Sequence, residues 1–317
     1  MGGPPPASRG RVTTHPFRFG LQLGGDVRGA IATARIAEER GFDVVHTRDH
    51  VGPGLVPPLA PLAAIAVTTE RVRLCPLVLN NDFHHPVDLA REVVAIDHLS
   101  RGRVELGLGA GHSAPEYAMV GIRFDAPAVR KARLAESVEV LRRLLNGETV
   151  GHDGEHYRVA GACVGSSDQA HLPILVGVNG PTALAHAVRH ADTVGLTGLG
   201  RTLADGQQHE TRWEADRLDT TVAFIRDAAR AAGRDPEVHA LVQVVAVTDD
   251  RDVAARAMVE RGLVPTVDDA FATPFLAVGT HAQIMAHLRD CRERWGITYF
   301  SVRDIDAFAP VIDLLRS

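Results

Sequence analysis

The sequence is poor in cysteine, with three among 317 residues. Cys75, Cys163 and Cys291 are odd in number and far apart, so they form neither a disulfide framework nor a metal knuckle. Scarce cysteines of this kind are typical of proteins from a reducing compartment. We therefore expect a cytoplasmic protein.

Long apolar runs and an excess of charge of one sign are also missing. No stretch approaches the ~20 apolar residues that a membrane span requires, and the formal net charge is −5 with both signs mixed along the chain. This composition argues against a membrane protein and against an electrostatic nucleic-acid binder. Met1–Pro16 is rich in Gly and Pro without an apolar core, which predicts a disordered tail rather than a targeting segment.

The sequence does contain a regular alternation of strand-like and helix-like segments from Phe17 onward. Strands are predicted at Phe17–Leu23, Phe42–His46, Arg71–Leu79, Arg103–Gly109, Leu172–Gly177, Thr193–Leu196, Val238–Val247 and Ile297–Val302. Helices are predicted at Val27–Arg40, Leu59–Thr69, Pro86–Ser100, Ala126–Asn146, Pro181–His190, Trp213–Ala232, Asp250–Glu260, Thr280–Trp295 and Ile305–Leu315.

Unbroken alternation predicts a parallel sheet, because parallel strands need crossover helices. Eight units in about 300 residues fit an α/β fold of the closed (β/α)8 TIM barrel type better than an open sheet. No linker or shift in composition divides residues 17–317, so we expect one domain. Thr149–Val159, with Asp153-Gly154 at its centre, predicts a β-hairpin that decorates the barrel.

Loops at the carboxyl ends of the strands form the active sites of such barrels, and glycines concentrate there. Gly107-Leu108-Gly109-Ala110-Gly111 ends strand four. The pattern resembles a dinucleotide fingerprint, but that motif belongs to the first strand of an open sheet. A tight turn would explain one glycine. Three at a barrel mouth indicate a backbone that lies close to a ligand.

Gly177-Val178-Asn179-Gly180-Pro181 ends strand five and begins a helix, with Pro181 suited to the first helical position. It is either an ordinary strand–helix turn or a phosphate site. Free amides and the positive end of the helix dipole would hold a phosphate there without Lys or Arg.

Asp49 and His50 follow strand two directly, and His112 follows the glycine run. Sixteen histidines make chance pairs easy, so the position after a strand is the informative feature. An imidazole titrates near neutral pH and suits proton transfer. His50 and His112 are therefore candidate catalytic residues.

Other polar clusters favour structural interpretations. The pairs His84-His85 and His152…His156 lack convincing third and fourth ligands, so no metal site is predicted. Charged side chains at adjacent turns of one helix predict a solvated face with salt bridges; they are Asp125, Arg130, Arg133 and Glu136.

Several of these segments together resemble the luciferase-like oxidoreductase superfamily. They are residues 37–45 followed by Asp49-His50, His85-Pro86 with Leu89-Ala90, residues 97–103, the glycine run after strand four, Arg130 with residues 134–136, and the hairpin tip 154–157. The resemblance extends from about Phe17 to the C-terminus. Residues 79–83 and the strand-four Gly-Ala-Gly are typical of the branch that uses the deazaflavin coenzyme F420.

The resemblance implies a flavin-type cofactor at the barrel mouth. Its ring would lie on a bulge of strand three, with a non-proline cis peptide at Leu77-Val78 and with Asn80 nearby. The Gly109-Ala110-Gly111 loop and Gly177–Gly180 would hold the phosphate. His50 would face the ring and exchange a proton, and Asp49 would contact the ring or orient His50. His112 stands where deazaflavin-dependent sugar-phosphate dehydrogenases have an acidic proton donor, and this departure puts a sugar-phosphate substrate in doubt.

The expected function is hydride transfer between the C5 carbon of F420 and a small organic substrate. The alternative is an FMN-dependent monooxygenase that uses O2 and a partner flavin reductase. A barrel that binds a ligand without turnover would be favoured if His50 proved dispensable. Arg123, Arg130 and Arg201 could form a basic exit for the oligoglutamate tail of F420, and the loops 48–58 and 197–210 give no chemical indication of the substrate.

The helix predicted near residue 59 indicates an oligomer. Leu59–Val67 is apolar almost all round, whereas an outer barrel helix should be polar towards solvent. A two-fold partner is the commonest cover, so a homodimer is expected. Burial under the tail or a loop is the alternative.

Overall fold

The computed structural model describes residues 15–52, 55–202 and 209–317. The predicted tail lies almost wholly outside these residues. The strands are β1 Arg18–Gln22, β2 Val44–Thr47, β3 Arg73–Pro76, β4 Leu79–Asn80, β5 Leu106–Gly109, β6 Val150–Asp153, β7 Arg158–Ala162, β8 Ile174–Gly177, β9 Thr193–Leu196, β10 Leu199–Thr202, β11 His209–Thr211, β12 Glu237–Leu241, β13 Val244–Val247, β14 Leu276–Gly279 and β15 Ile297–Val302.

Helices follow most of these strands. They are α1 Val27–Glu39, α2 Leu59–Ala66, α3 Pro86–Ser100, α4 Ala114–Val120, α5 Pro127–Leu145, α6 Pro181–His190, α7 Ala215–Ala232, α8 Arg251–Glu260, α9 Val267–Ala272, α10 His281–Trp295 and α11 Ile305–Arg316, with a 3-10 turn at Asn81–Phe83. None of the helices in the described ranges is both long and apolar enough to cross a membrane.

Nine short parallel strands form the barrel, in the order β3-β2-β1-β15-β12-β9-β8-β5-β4. β3 and β4 are the two halves of one strand position, interrupted at Leu77-Val78. β4 pairs with β5, and an isolated bridge joins Leu74 to Val104 just before β5. The sheet therefore closes on itself at eight positions, and the predicted (β/α)8 fold is confirmed. The predicted hairpin is confirmed as the antiparallel pair β6 and β7.

The alternation is interrupted at the seventh strand, where the prediction was wrong. Val238–Val247 was expected to be one strand, but it divides into β12, which lies in the barrel, and β13, which pairs with β14 outside it. The sequence analysis missed β14 and the short elements β10, β11, α4 and α9. Their lengths of three to seven residues are too short for a periodic pattern to stand out.

Local signals in the sequence set several helix ends. The side chain of Asp26 accepts the N–H of Gly29 at the start of α1, and Thr280 and Gln283 form a capping box at the start of α10. Gly296 ends α10 in the left-handed conformation with φ +70°, which glycine adopts without steric cost.

Side chains alternate between the two faces of the barrel strands, as the two-residue strand period requires. Phe19, Val45 and Leu74 pack against the helices, whereas their neighbours on each strand face the interior. Gly20 is needed there, because a Cβ atom would lie 2.3 Å from Nε2 of His46 and 2.4 Å from Oγ of Ser301.

The interior holds two buried polar layers that the sequence analysis did not identify. At the amino ends of the strands, Arg18 forms ion pairs with Glu237 at 2.7 Å and with Glu105. One layer above, His46 contacts the carbonyl of Cys75, the hydroxyl of Tyr299 and the hydroxyl of Ser301. The lower half of the barrel is therefore sealed by paired polar groups.

Candidate active site

The carboxyl ends of the second to fifth barrel strands lie side by side and carry most of the predicted site residues. In the strand register, Asn80 is opposite Gly109, and Gly109 is opposite Gly177. Asp49 and His50 follow β2 at the same rim. The sequence prediction that these segments share one mouth agrees with this register.

His50 is held by a carboxylate that the sequence analysis missed. Its Nδ1 lies 2.9 Å from Oε1 of Glu116, and the second carboxylate oxygen accepts the N–H of Val51 at 3.3 Å. The His50 side chain is 37% exposed and that of Glu116 is 14% exposed. The His112 ring lies 5.7 Å from the His50 ring, edge to face. The two predicted catalytic histidines are thus neighbours, and Glu116 of α4 orients one of them.

Asp49 makes its contacts to Asn80 and His84, and its predicted contact with the cofactor ring stays a prediction. Its Oδ2 accepts the backbone N–H of Asn80 at 2.9 Å and lies 2.9 Å from Nε2 of His84. Asp49 therefore ties the end of β2 to the end of strand three. Its carboxylate is also within hydrogen-bond distance of a ring nitrogen of His84.

The predicted cis peptide bond is present at Leu77-Val78. It lies between β3 and β4, and both side chains pack against the small apolar cluster inside the barrel. The Leu77-Val78 prediction is confirmed.

The glycine run has a cause that the sequence analysis did not anticipate. A Cβ at Gly109 would lie 2.7 Å from Cγ2 of Val78, and one at Gly111 would lie 2.2 Å from the hydroxyl of Tyr117. Gly111 also has φ +69°. Close packing within the protein therefore favours glycine at these two positions. That Gly109, Ala110 and Gly111 contact a cofactor stays a prediction.

A buried hydrogen-bond network connects α4 to the end of strand three. The hydroxyl of Tyr117 lies 3.0 Å from Oδ1 of Asn80 and 2.9 Å from Oδ2 of Asp82. Burial, together with the Asp82 charge, raises the pKa of Tyr117, so the phenol keeps its proton. Arg133 contacts the same Asp82 oxygen at 2.7 Å.

The prediction of a solvated face on α5 is wrong, because its charged side chains are buried or bonded within the protein. Arg130 is buried, with its guanidinium 4.0 Å from the centre of the Phe124 ring. Glu136 accepts the N–H groups of His156 and Tyr157 and lies 2.9 Å from Nε2 of His152. The carboxylate anchors the hairpin tip to α5, so these charges are structural.

The loop after β8 leads directly into the N-terminus of α6, with a lysine beside it. Gly180 precedes α6 with φ +89°, and Pro181 occupies the first turn. Nζ of Lys131 donates to the carbonyl of Asn179 at 2.7 Å. Lys131 is the single lysine of the sequence, and burial, with Arg130 nearby, lowers its pKa. A cation therefore accompanies the helix N-terminus, although the sequence analysis expected the amides alone.

Two of the three arginines proposed for a basic exit are described, and each is engaged within the protein. Arg123 is 85% exposed and pairs with Asp125 at 2.6 Å, and Arg130 is buried. The side chain of Arg201 lies outside the described residues.

A cavity of about 150 Å³ opens beside His50. The ends of β1 and β2, the following loops and α2 line it, including Leu23, Thr47, His50, Leu55 and Pro61. A candidate proton-transfer group thus faces a space that a small molecule can enter.

The fold and the position of the site define a (β/α)8 barrel of the enzyme type, with its polar groups at the carboxyl ends of the strands. Residues 9–299 match the luciferase-like monooxygenase family. The chain belongs to this family.

Relatives and solved structures agree with that assignment. The F420-dependent glucose-6-phosphate dehydrogenase of Nakamurella multipartita is 32% identical over 233 residues, which are 70% of this chain and 65% of that protein. The chain thus spans just under two thirds of this relative. An F420-dependent secondary alcohol dehydrogenase in complex with an F420-acetone adduct is 20% identical with a TM-score of 0.77, covering 96% and 100% of the two chains. A monooxygenase from Streptomyces bottropensis is 26% identical with a TM-score of 0.72, covering 94% and 97%.

Proposed function

We propose that this protein is a coenzyme F420-dependent oxidoreductase that acts on a small organic substrate. The observation that carries the proposal is the His50–Glu116 pair, 2.9 Å apart, beside a cavity at the mouth of a luciferase-like barrel. The names of the relatives support the choice of F420 over other cofactors.

The bound deazaflavin would supply the carbon that accepts or donates the hydride. His50 would move the accompanying proton. Because Nδ1 of His50 donates to the Glu116 carboxylate, Nε2 is the nitrogen left to exchange a proton with a substrate oxygen. The carboxylate fixes this tautomer and stabilises the imidazolium that forms. His112, whose ring lies edge to face with that of His50, would contact the same substrate.

The residues present fit such a cofactor. Its phosphate would lie at Gly177–Gly180 and Lys131, where a helix N-terminus and a cation converge. The ring would lie against Leu77-Val78 and Asn80. Asp49 contributes by holding the N–H of Asn80, so its part in cofactor binding would be indirect.

Competitive titration distinguishes F420 from FMN, because the two share a ring shape and a ribityl phosphate. We expect saturable binding of F420 that excess FMN displaces poorly. Tight FMN binding without detectable F420 binding would favour the alternative, a monooxygenase that depends on a partner flavin reductase. The likeness to a monooxygenase keeps that alternative open.

We also propose a homodimer in which the α1–α3 surface is covered. Apolar side chains are exposed on or directly after these three helices, with Val67 after α2 at 63%, Leu99 of α3 at 49% and Ile36 of α1 at 46%. Light scattering should give twice the monomer mass at micromolar concentration. Val67→Glu should shift the mass towards the monomer, whereas Val253→Glu, a similarly exposed position on α8, should not. A monomer mass for the wild type would refute the dimer. The cytoplasmic location and the reductase partner stay predictions.

A further inference from the structure

A second cluster of ligand-type side chains lies on the outer surface of the barrel, between α5 and α6. It consists of Glu139, His186 and His190, whose ligand atoms all lie within 4.8 Å of one another. The histidines are four residues apart on α6, so they share one face of the helix. Glu139 belongs to α5. Neither the mouth of the barrel nor the proposed reaction involves these residues.

The distances suit one shared ion. Oε1 of Glu139 lies 3.2 Å from Nε2 of His186 and 3.8 Å from Nε2 of His190. A tetrahedral ion about 2.0–2.2 Å from each ligand places neighbouring ligand atoms roughly 3.4 Å apart. The imidazole rings are stacked with centroids 4.4 Å apart and planes 24° apart. Small changes in side-chain torsion angles would therefore let the Glu139 oxygen and the two imidazole nitrogens bind the same ion.

Burial keeps both imidazoles in the neutral form. It lowers the pKa of His186 and of His190, although the Glu139 carboxylate acts on both in the opposite direction. Neutral imidazoles present lone pairs at neutral pH. His190 is the last residue of α6, where the helix dipole attracts a cation. Arg189 and Arg234 act against this attraction, and the Glu139 carboxylate adds to it.

We propose that Glu139, His186 and His190 bind a divalent transition-metal ion of the zinc class, with water in the fourth position. Two imidazoles and one carboxylate are a ligand set typical of such ions. The ion would tie α6 to α5. The opposite end of α6 carries the Gly180 loop, so the site would brace the helix that presents the candidate anion site.

Calorimetric titration of the untagged, chelator-stripped full chain with Zn²⁺ tests the proposal. We expect saturable binding of about one equivalent, weakened about tenfold or more in Glu139→Gln and in His190→Ala. His98→Ala is the matched control, because it removes an exposed imidazole that pairs with a carboxylate, Asp168, elsewhere on the surface. The control should bind Zn²⁺ as the wild type does.

Thermal unfolding gives a second readout that does not depend on enzyme activity. At a hundredfold excess of Zn²⁺ over its Kd, Tm should rise by about 4 °C in the wild type and in His98→Ala. It should not rise in the Glu139 and His190 variants. Absence of saturable Zn²⁺ binding in the wild type would overturn the proposal, as would unchanged binding in both variants.

Discussion

His46 and His50 lie four residues apart at the same end of β2, yet their surroundings differ in every respect. His46 is fully buried inside the barrel, and burial lowers its pKa to about 4. Its Nδ1 lies 3.1 Å from the carbonyl of Cys75, while Nε2 accepts from the hydroxyls of Ser301 and Tyr299. His50 is 37% exposed and rests on a carboxylate beside a cavity. One histidine is held neutral by burial, and the other is the proton-exchange group that we propose.

The same contrast holds for the charged groups around them. Below His46, Arg18 pairs with Glu237 and shares Glu105 with Arg73, and both carboxylates are nearly inaccessible. Above it, Glu116 belongs to a partly exposed pair beside a cavity. Position along the strand relative to its carboxyl end, rather than residue type, thus separates the buried structural groups from the candidate functional ones.

Removal of Arg18 should have the largest effect on this comparison. In Arg18→Met the carboxylate of Glu237 would remain buried without its cation, whereas Glu105 would keep its ion pair with Arg73. Leaving a buried charge unpaired costs about 3–5 kcal/mol. Urea denaturation should show a loss of that size in the free energy of unfolding. Arg91→Met, which breaks an exposed pair with Asp88, should change it by about 1 kcal/mol or less. Similar losses of unfolding free energy in the two variants would contradict a buried ion-pair layer at the amino ends of the strands.

Substitution of His50 should have the opposite effect to substitution of Arg18. It should change the free energy of unfolding little and lower turnover strongly. His50→Ala is expected to lower kcat by ~10²-fold if the imidazole is the general acid–base. F420 affinity and the unfolding midpoint should stay close to the wild type. His98→Ala, at an exposed pair far from the mouth, should keep full turnover. An unchanged kcat in His50→Ala would remove His50 from the mechanism.

Glu116 acts through His50, so its own variant should lose rate only while His50 is present. Glu116→Gln keeps the side-chain shape but removes the carboxylate that accepts from Nδ1 of His50. We expect kcat to fall about tenfold in the wild-type background and to fall no further in the His50→Ala background. An equal fall in both backgrounds would indicate that Glu116 merely supports α4.

The sequence pattern was sufficient for the barrel but only for part of the site. Strand ends could be located from periodicity, so Asp49, His50 and Gly177–Gly180 were correctly placed at one rim. Glu116 could not be found, because α4 has seven residues and its partner His50 is distant along the chain. His46 and His50 are also indistinguishable in the sequence, since burial inside a barrel depends on strands that come hundreds of residues later.

Lys131 should affect cofactor binding more modestly. Its amine would add one charge-assisted contact to the phosphate at the Gly180 loop, and loss of such a contact weakens binding about tenfold. Fluorescence titration of F420 should show this loss in Lys131→Ala and near-normal affinity in Lys131→Arg. Arg123→Ala, an exposed cation paired with Asp125, should bind as the wild type does.

The single lysine also gives a direct probe of contact. Reductive methylation with a ¹³C label yields one lysine signal, and saturating F420 should shift it. A signal that stays in place at saturation would exclude Lys131 from the phosphate site.

The smallest expected effect is the contribution of His46 to the pH dependence of stability. The unfolded chain binds a proton at His46 near its usual pKa of about 6.5, whereas the folded state does so only near 4. Between these values the unfolded state holds more protons, so the free energy of unfolding falls as the pH falls. His46 alone should account for about 1 kcal/mol between about pH 7.5 and about pH 5.5. His239, which burial also holds below its usual pKa, adds to the slope in the same direction. In His46→Gln the fall in the free energy of unfolding between these two pH values should be smaller by that amount. His98→Gln should show the same fall as the wild type. Urea denaturation at each pH measures both. An equally steep dependence in His46→Gln would mean that His46 is protonated in the folded barrel, and the contrast with His50 would no longer hold.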